Sequence, residues 1–430
     1  MMKPLRRDSL IELFDTAADI PDDPGLDSVT RILKAVRGHL GMDVAFTSEV
    51  ANGEVAIRRL DAEAGGPIHI GQVFPAEESY CQRIIDGRLP NLIRDTAKEP
   101  EAAALACTKI VPVGAHLSVP IRLGDGRIYG AFCCFSFTAN RSLNQRDLQT
   151  IRAFAELAAG EIDRELAQAG AQAEIAASIR EVIDRDRIRT VFQPIYRLDD
   201  GSIAGVECLA RFPDCDVRPP SAWFAEAASV GLGIELEMAV FRQVLAALPY
   251  LPESLYLAVN FSPATILSSA FAPVFAELPP GRFILEVTEN QEIGDYVAFA
   301  RALEPFRRRA RIAIDDVGAG YSGMRHILDL SPEIIKLDMS LVRDIDKDPA
   351  RRALALALVA FAAEIDSLIV AEGVETPGEL ATLRELGVPR AQGYHLGRPM
   401  PLMALLQFLK GDRQPIESPP APPRSRVTRA

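Results

Sequence analysis

The segment Ile312-Ala313-Ile314-Asp315-Asp316-Val317-Gly318 decides how the rest of this chain is interpreted. Its first three residues are apolar and partly β-branched, as in a short buried parallel strand. Two acidic residues follow, and Gly318 and Gly320 then form a turn. Adjacent carboxylates at the end of a buried strand repel each other and resist desolvation, and divalent cations relieve both costs. The alternative is a helix N-terminus, which aspartate commonly caps, and this segment alone does not separate the two.

The overall composition is that of a soluble globular protein. The 430 residues allow two or three domains, and 48% hydrophobic and 25% charged residues are ordinary proportions. No apolar run reaches the length of a membrane span, and the first residues lack the apolar core of a signal peptide. We therefore expect a cytoplasmic protein with no membrane partner. The net charge of −12, without a basic tract, disfavours binding to a nucleic-acid polymer.

The six cysteines are expected to be free buried thiols. They have neither CxxC spacing nor the density of a disulfide framework, which suits a reducing compartment. They are Cys81, Cys107, Cys133, Cys134, Cys208 and Cys215.

The sequence predicts a small α+β domain over residues 25–160, after an N-terminal segment 1–24. Helices are expected over 27–40 and 79–86. Alternating apolar residues predict strands over 43–50, 54–59, 69–73, 92–95, 115–122 and 127–137. Between 144 and 186 there is no proline and apolar residues recur at helical spacing, which predicts one long helix that closes this domain and links it to the next. Such a helix either transmits a signal or acts as a passive spacer.

Several motifs in this part resemble those of GAF domains. They are Ser79-Tyr80-Cys81-Gln82, Asn91-Leu92-Ile93-Arg94-Asp95-Thr96, Ser118-Val119-Pro120-Ile121 and Gly130-Ala131-Phe132. The resemblance implies a GAF-type sensor domain that binds an unknown small molecule, or that binds no ligand and serves in dimerisation. Cys81 and His116 are candidates for contact with a ligand or haem, and the alternative for each is an ordinary pocket or core residue.

From Arg189 onward the pattern changes to alternating strands and helices. About eight strands with intervening helices predict an α/β domain, a closed (β/α)8 TIM-like barrel over 187–411. The first two strands lie too close for a helical crossover, so that pair should be antiparallel. The Pro/Arg tail 412–430 should be disordered. The expected strands are 190–196, 203–210, 255–261, 283–288, 311–315, 334–337, 368–371 and 391–395, with helices over 224–248, 296–309 and 376–386.

From the second strand onward, each expected strand of this barrel carries a polar or charged residue at its end. Because the C-terminal ends of barrel strands hold the active site, this succession indicates a site rather than a series of caps. Oxygen donors without a Cys or His cluster select Mg²⁺ or Mn²⁺, and six donors suit two ions bridged by Asp315. Two ions about 4 Å apart suit phosphodiester hydrolysis, and a neighbouring lysine can orient the water. The residues are Glu207, Asn260, Glu286, Glu289, Asp315, Asp316, Lys336, Asp338, Glu372 and Gln392.

Ordered motifs over about 180–410 resemble the bacterial EAL domain family. The resemblance implies a phosphodiesterase that hydrolyses cyclic di-GMP to linear pGpG with two Mg²⁺ or Mn²⁺ ions. The motifs are Phe192-Gln193-Pro194-Ile195, Glu207-Cys208-Leu209-Ala210-Arg211, Val259-Asn260-Phe261-Ser262, Glu286-Val287-Thr288-Glu289, Asp315-Asp316-Val317-Gly318, Ile335-Lys336-Leu337-Asp338, Glu372-Gly373-Val374-Glu375-Thr376 and Gln392-Gly393-Tyr394.

The resemblance also implies a role for each of these residues. Metal ligands would be Glu207, Asn260, Glu286, Asp315, Asp316 and Glu372, of which Glu207 and Glu372 also count as catalytic. Lys336 would activate water or stabilise the transition state. Substrate contacts would be Gln193, Leu209, Arg211, Asp338 and Gln392, and Glu289 would anchor the loop after Asp316.

Three residues depart from the family's usual pattern. Cys208 replaces Ala, and its side chain should point away from the metal face because Glu207 points toward it. Val317 replaces Phe and Gly323 replaces Ser in the loop that the family uses to couple dimerisation to metal binding. These two changes leave rate and regulation open.

Two rival functions remain beside the phosphodiesterase. One is a catalytically silent receptor or scaffold for cyclic di-GMP, although no metal ligand and no lysine is missing. The other is an aldolase-type barrel with a Schiff base on Lys336, which the surrounding carboxylates disfavour because they keep the lysine charged. Both resemblances imply a homodimer.

Overall fold

The computed structural model describes residues 26–63, 66–213, 217–287, 295–317 and 327–411. The chain divides into two compact units, Met1–Ala171 and Gln172–Ala430. The predicted segment 1–24 and the predicted disordered tail 412–430 lie outside the described residues. No helix within the described ranges is both long and apolar enough to cross a membrane.

The first unit contains a six-stranded antiparallel sheet in the order β3-β2-β1-β6-β5-β4. Its strands are β1 (Val44–Ala51), β2 (Glu54–Ala62), β3 (Val73–Pro75), β4 (Leu92–Ile93), β5 (Ala115–Arg122) and β6 (Ile128–Ser136). Its helices are α1 (Ser28–Leu40), α2 (Tyr80–Ile85), α3 (Pro100–Ala104), α4 (Ala106–Ile110) and α5 (Gln145–Asp184).

Each face of this sheet is covered by a separate apolar core. On one face, Val29, Leu33 and Val36 of α1 pack with the first part of α5. Asp27 begins α1 by accepting the N–H of Thr30 at 3.0 Å. The strand predicted over 69–73 is wrong in position. A turn forms there, with Gly71 at φ 83°, and the strand starts only at Val73.

The predicted long helix is confirmed as α5, which runs for 40 residues. Its early residues Leu148, Ile151 and Phe154 are buried in the core of the first unit. Near its end, Ile179 and Val182 belong to a separate core of the second unit.

The second unit contains a closed barrel. Its sheet has the order β14-β13-β12-β11-β10-β9-β8-β7-β15, and pairing of β14 with β7 closes eight of these strands into a ring. The antiparallel pairing of β7 with β8 is confirmed. The strands are β7 (Arg189–Arg197), β8 (Ile203–Arg211), β9 (Tyr256–Phe261), β10 (Phe283–Val287), β11 (Ala310–Val317), β12 (Ile334–Leu337), β13 (Leu368–Ala371), β14 (Arg390–Ala391) and β15 (Met400–Pro401).

Helices pack around this ring. They are α6 (Pro220–Ser229), α7 (Gly233–Ala247), α8 (Pro263–Ile266), α9 (Phe271–Ala276), α10 (Tyr296–Arg307), α11 (Met339–Val342), α12 (Pro349–Glu364), α13 (Pro377–Glu385) and α14 (Leu402–Lys410). The single helix predicted over 224–248 is wrong, because Gly231 at φ 74° separates α6 from α7. The strand predicted over 391–395 is also wrong, since β14 contains only two residues.

Alternating strand residues divide the barrel into an inner and an outer apolar layer. Ala258, Ile284, Ala313 and Val370 belong to the inner layer. Their neighbours in sequence, such as Leu285, belong to the large outer core under the helices. This alternation aims every second strand residue into the barrel, which places the residues at the strand ends around one rim.

Glu379 holds the connection between β13 and α13. Its carboxylate accepts the backbone N–H groups of Asp344, Glu375 and Thr376 at 3.0, 2.8 and 2.9 Å. Thr376 in return accepts the N–H of Glu379, which completes a capping box. Burial raises the pKa of Glu379, but these hydrogen bonds together lower it by more than burial raises it. The net shift of the pKa is therefore downward.

We predict that Glu379→Gln lowers the free energy of unfolding by about 2 kcal/mol at pH 7, because the buried N–H groups lose a charged acceptor. The folded pKa lies below the ordinary value of 4.5. The contribution is therefore complete above the pKa of the unfolded chain and is lost as the pH falls through the folded pKa. Urea denaturation from pH 7 down to a pH below the folded pKa measures this.

The matched control is Glu385→Gln on the same helix, where the carboxylate forms an exposed ion pair with Arg352. This variant should unfold like the wild type. Equal stability of both variants would show that the cap contributes nothing.

Candidate active site

Lys336 lies at the centre of a carboxylate cluster at the C-terminal end of the barrel strands. It belongs to β12 and is 1% exposed. Its Nζ lies 2.7 Å from Glu372, 2.9 Å from Glu286, 3.1 Å from Asp315 and 3.6 Å from Glu207. Four strand ends distant in sequence therefore meet at one ammonium group.

The charges of this cluster do not balance. Asp316 adds a fifth carboxylate beside Asp315 and Glu372, and one ammonium group leaves four net negative charges when all are ionised. Burial lowers the pKa of Lys336, but the carboxylates raise it by more, so the pKa lies well above its ordinary value. Burial, followed by the neighbouring carboxylates, raises the pKa of both Glu286 and Glu372 despite the opposing effect of Lys336.

Two amide side chains connect the carboxylates to one another. Asn260 donates from Nδ2 to Glu207 at 3.2 Å and to Glu286 at 3.0 Å. Gln392 donates from Nε2 to Glu207 at 2.5 Å and to Glu372 at 2.8 Å. The buried Oε1 of Gln392 has no hydrogen-bond partner among the described residues. Gln392 thus lies inside the cluster, where it supports two of the predicted ligands.

A local irregularity of β11 brings two successive carboxylates to the same rim. Strict alternation would aim Asp315 and Asp316 at opposite faces. Between Ile314 and Val317, β11 carries one more residue than β12, and Asp316 adopts the left-handed conformation with φ 57°. Carboxylate oxygens of Asp315, Asp316 and Glu372 consequently lie within 4.8 Å of one another.

Two of the three residues that depart from the family's pattern lie away from this face. Cys208 is buried in the outer core, on the opposite side of β8 from Glu207, so its predicted orientation is confirmed. Val317 is buried in the same outer core at 1% exposure. Gly323 and Glu289 lie outside the described residues.

The predicted substrate contacts have different surroundings. Gln193 lies beside Glu207 in the β7–β8 pairing and donates to the carbonyl of Gly397 at 3.1 Å. Leu209 and Arg211 follow Glu207 along β8 and are half-buried. Asp338 caps α11 by accepting the N–H of Ser340 at 2.9 Å. The structure therefore gives Asp338 a structural role beside its predicted contact.

Sequence reasoning did not identify two residues that position the site. Glu237 on α7 accepts the N–H of Ser262, close behind Asn260, at 2.9 Å. The sequence signal that could have identified Glu237 is an acidic residue between two apolar ones, Leu236 and Met238, which are both buried. Gly373 follows Glu372 at φ 68°, and a Cβ there would lie 2.5 Å from that of Met339. A larger residue would displace the backbone that carries Glu372.

The donor set fits divalent cations. It consists of carboxylate and amide oxygens, which hard ions prefer, and it contains neither cysteine nor histidine. When all five carboxyl groups are ionised, the excess negative charge equals the charge of two divalent ions. The unpaired Oε1 of Gln392 is a further oxygen inside the cluster. The Asn260 amide faces the carboxylates with its nitrogen, so it must turn to present oxygen to an ion.

The first unit contains a small apolar cavity of about 60 Å³. Both Cys81 and His116 line this cavity, which agrees with the alternative that each is an ordinary pocket residue. Burial lowers the pKa of His116 to about 3, so the imidazole is neutral, and it stacks on Tyr80 at 4.5 Å. Ligand pockets typically measure roughly 300–1,000 Å³, so this cavity is smaller than a typical ligand pocket.

Comparison with known proteins agrees with both halves of this description. A family model for the GAF domain matches residues 27–163, and a family model for the EAL domain matches residues 176–399. Solved structures include the EAL enzyme Bd1971 in its cGMP-bound form, with a TM-score of 0.53 and 18% identity. That match covers 86% of this chain and 93% of the other, and it shows a shared fold alone.

Two curated bacterial relatives match slightly more than half of the chain. The cyclic di-GMP phosphodiesterase RocR of Pseudomonas aeruginosa is 32% identical over 250 residues, 55% of this chain and 63% of that protein. The probable cyclic di-GMP phosphodiesterase PdeG of Escherichia coli is 30% identical over 244 residues, 54% of this chain and 48% of that protein. The matched segment thus spans less than two thirds of either relative.

The EAL match includes more than half of the chain and every described residue of the carboxylate cluster. This chain belongs to the EAL domain family and carries a GAF domain ahead of its EAL domain.

Proposed function

We propose that this chain is a metal-dependent phosphodiesterase that hydrolyses cyclic di-GMP to linear pGpG. The observation that carries the proposal is the complete cluster at the rim of an EAL barrel, where five carboxyl groups lie around the one ammonium group of Lys336. The names of the two relatives support the substrate. Incubation with cyclic di-GMP and Mg²⁺ or Mn²⁺, with and without a chelator, tests it by chromatography of the product.

The residues that would hold two divalent ions are those of the cluster. Asp315 would bridge them, and the other ligands would be Glu207, Asn260, Glu286, Asp316 and Glu372. When bound, such ions lower the pKa of a coordinated water and neutralise charge on the phosphate. The excess negative charge of the cluster is the reason that the site selects cations over other ligands.

Lys336 has a separate role at the reacting phosphate. Its carboxylate neighbours keep Nζ protonated, so it donates hydrogen bonds and does not act as a nucleophile. Attack of water on phosphorus breaks the bond to one 3′ oxygen and leaves a linear dinucleotide with a 5′ phosphate. A fixed ammonium group stabilises the negative charge that develops on the phosphoryl oxygens.

The charged state of Lys336 also bears on the rival functions. A Schiff-base aldolase needs a neutral amine, which four neighbouring carboxylates oppose. A silent receptor would bind cyclic di-GMP without turnover. The chain retains every predicted ligand and the lysine, which favours an enzyme.

We predict that Asp315→Ala and Glu207→Ala each abolish hydrolysis, because each removes an oxygen ligand of a hard cation. Turnover at saturating Mn²⁺ measures this, with Glu277→Ala on the exposed surface as the control. The control should retain full turnover. If Asp315→Ala keeps more than about a tenth of the activity, a barrier change of only about 1.4 kcal/mol, the two-ion assignment is wrong.

We also predict that Lys336→Ala lowers turnover by roughly a hundredfold or more, the size expected for loss of one transition-state donor, while the substrate still binds. Calorimetry with cyclic di-GMP and Ca²⁺ measures binding separately from turnover. Loss of binding together with turnover would instead make Lys336 a substrate anchor.

The GAF domain is proposed to regulate the EAL domain of a homodimer. The loop that the family uses for this coupling follows Asp316 directly, and residues 318–326 lie outside the described ranges. Asp316, which directly precedes this loop, is itself a predicted metal ligand, and its backbone has the left-handed conformation. A shift in the loop's conformation would therefore change the geometry of the ligands.

Removal of residues 1–172 tests this regulation. The remaining part corresponds to the second compact unit, which has its own core. We expect turnover or metal affinity to change severalfold relative to the full chain, with dimerisation followed by light scattering. Equal turnover and equal metal affinity in both proteins would rule out regulation through this loop.

A further inference from the structure

The end of the barrel opposite the carboxylate cluster carries three arginines around one tyrosine. Arg311 begins β11 together with Ala310, Arg390 begins β14, and Arg197 ends the antiparallel β7. The guanidinium carbons of Arg311 and Arg390 lie 5.2 and 5.1 Å from the centre of the Tyr256 ring. Four residues of β11, about 13 Å, separate Arg311 from Asp315. This arginine cluster is thus distinct from the candidate active site.

The arginine cluster is short of negative charge. Among the ion pairs of the described residues, none involves Arg311 or Arg390. The charge of Glu333 raises the pKa of Arg311. This carboxylate, however, already forms an ion pair with Arg307 and accepts the N–H of Ile312 at 2.7 Å. Burial lowers the pKa of Arg311, and the charge of Arg390 lowers it further. The guanidinium groups therefore repel one another without a neutralising partner.

Arg197 differs from the other two arginines because its guanidinium group already donates hydrogen bonds to groups outside the arginine cluster. Its Nη1 donates to the hydroxyl of Ser202 at 3.1 Å and to the carbonyl of Ile203 at 3.3 Å. Its positive charge also contributes to lowering the pKa of the exposed Asp200. We therefore assign the main contacts of this end to Arg311 and Arg390, with Arg197 at the flank.

Two polar groups inside the arginine cluster lack an acceptor for their hydrogens within the described ranges. They are the hydroxyl of Tyr256 and Nη1 of Arg390. The guanidinium group of Arg390 acts as a hydrogen-bond donor toward the oxygen of Tyr256, but it cannot accept the hydrogen of that hydroxyl. Tyr256 is only 5% exposed, and burial raises its pKa, so the hydroxyl is a donor at neutral pH. The position of its ring depends on Gly205, because a Cβ there would lie 2.5 Å from the ring. Buried donors without acceptors point to a missing anionic acceptor.

We propose that Arg311, Arg390, Arg197 and Tyr256 form a second binding site, specific for a phosphate group. The group is either inorganic phosphate or the phosphate monoester of a small molecule. Planar guanidinium forks match the oxygens of phosphate, and the Tyr256 hydroxyl supplies one more donor. A doubly charged anion also relieves the repulsion between the arginines, which a neutral ligand does not.

A purely structural role makes different predictions. If the arginines serve only to stack on Tyr256, replacing them removes favourable cation–π contacts and destabilises the barrel. If they form a phosphate site, Arg→Gln removes repulsion, so the variant unfolds at the same or a higher temperature in phosphate-free buffer. The stability of the variant without ligand therefore separates the two roles.

The experiment uses the full chain in buffer freed of divalent ions, so that the acidic rim does not bind anions. Calorimetry and thermal unfolding are recorded with sodium phosphate and with sodium chloride at equal ionic strength. The variants are Arg311→Gln/Arg390→Gln and Tyr256→Phe, and the control is Arg308→Gln, an exposed arginine at the end of α10. Guanosine monophosphate replaces phosphate in a parallel series to distinguish a monoester from the free ion.

We expect saturable phosphate binding to the wild type and to Arg308→Gln. The double variant should bind at least about tenfold more weakly, a difference of about 1.4 kcal/mol, and Tyr256→Phe severalfold more weakly. Tighter binding of guanosine monophosphate would identify a monoester as the ligand, and tighter binding of phosphate would identify the free ion. The proposal is overturned if phosphate acts no differently from chloride, or if the double variant binds phosphate as the wild type does.

Discussion

The carboxylate-lined end of the barrel depends on the ion pairs that the buried ammonium group of Lys336 forms. This group pairs with carboxylates carried by four other strand ends. A buried cation is tolerated only where its charge is matched, and a buried carboxylate likewise needs a positive partner. The register of β8, β10, β11, β12 and β13 is therefore tied to one nitrogen atom. Loss of this group would leave several buried negative charges without compensation.

The same cluster also explains why the site is suited to cations. One ammonium group neutralises only one of five carboxylates, and the amides of Asn260 and Gln392 supply hydrogen bonds but no charge. Capping by Glu379 and the left-handed Gly373 fix the backbone that follows Glu372. The barrel thus keeps repelling groups close together by means of rigid local structure, and this arrangement favours binding of divalent ions.

Charge is distributed unevenly along the barrel, which its net value does not reveal. The chain carries a net charge of −12, yet its EAL domain has carboxylates at one end and, near Tyr256 at the other end, two arginines that form no ion pair with another described residue. We propose that the two ends therefore bind different ligands, cations at one and phosphate at the other. By contrast, the cavity of the GAF domain is small and apolar, and its histidine, His116, is neutral.

Local sequence was sufficient to determine much of this protein. The order of polar residues at the strand ends predicted which side chains meet, because the parallel strands of the barrel all end at the same rim. The short β7–β8 connection required an antiparallel pair, and the absence of proline predicted the helix α5. Gly231 was the local signal for the break between α6 and α7, and it was overlooked in a run of apolar residues.

Only the tertiary structure decided how neighbouring residues share a face. Two-residue alternation placed Asp316 away from Asp315, whereas the extra residue of β11 opposite β12 and a left-handed backbone bring both to the rim. That irregularity depends on pairing with another strand, so no local pattern predicts it. The meeting of Arg311 with Arg390 has the same origin, since closure of the barrel brings together residues that are far apart in sequence. The sequence by itself determined the chemical types at each end of the strands, and the closed, paired sheet decided their geometry, because distances between strands arise from hydrogen bonding and packing across the whole barrel.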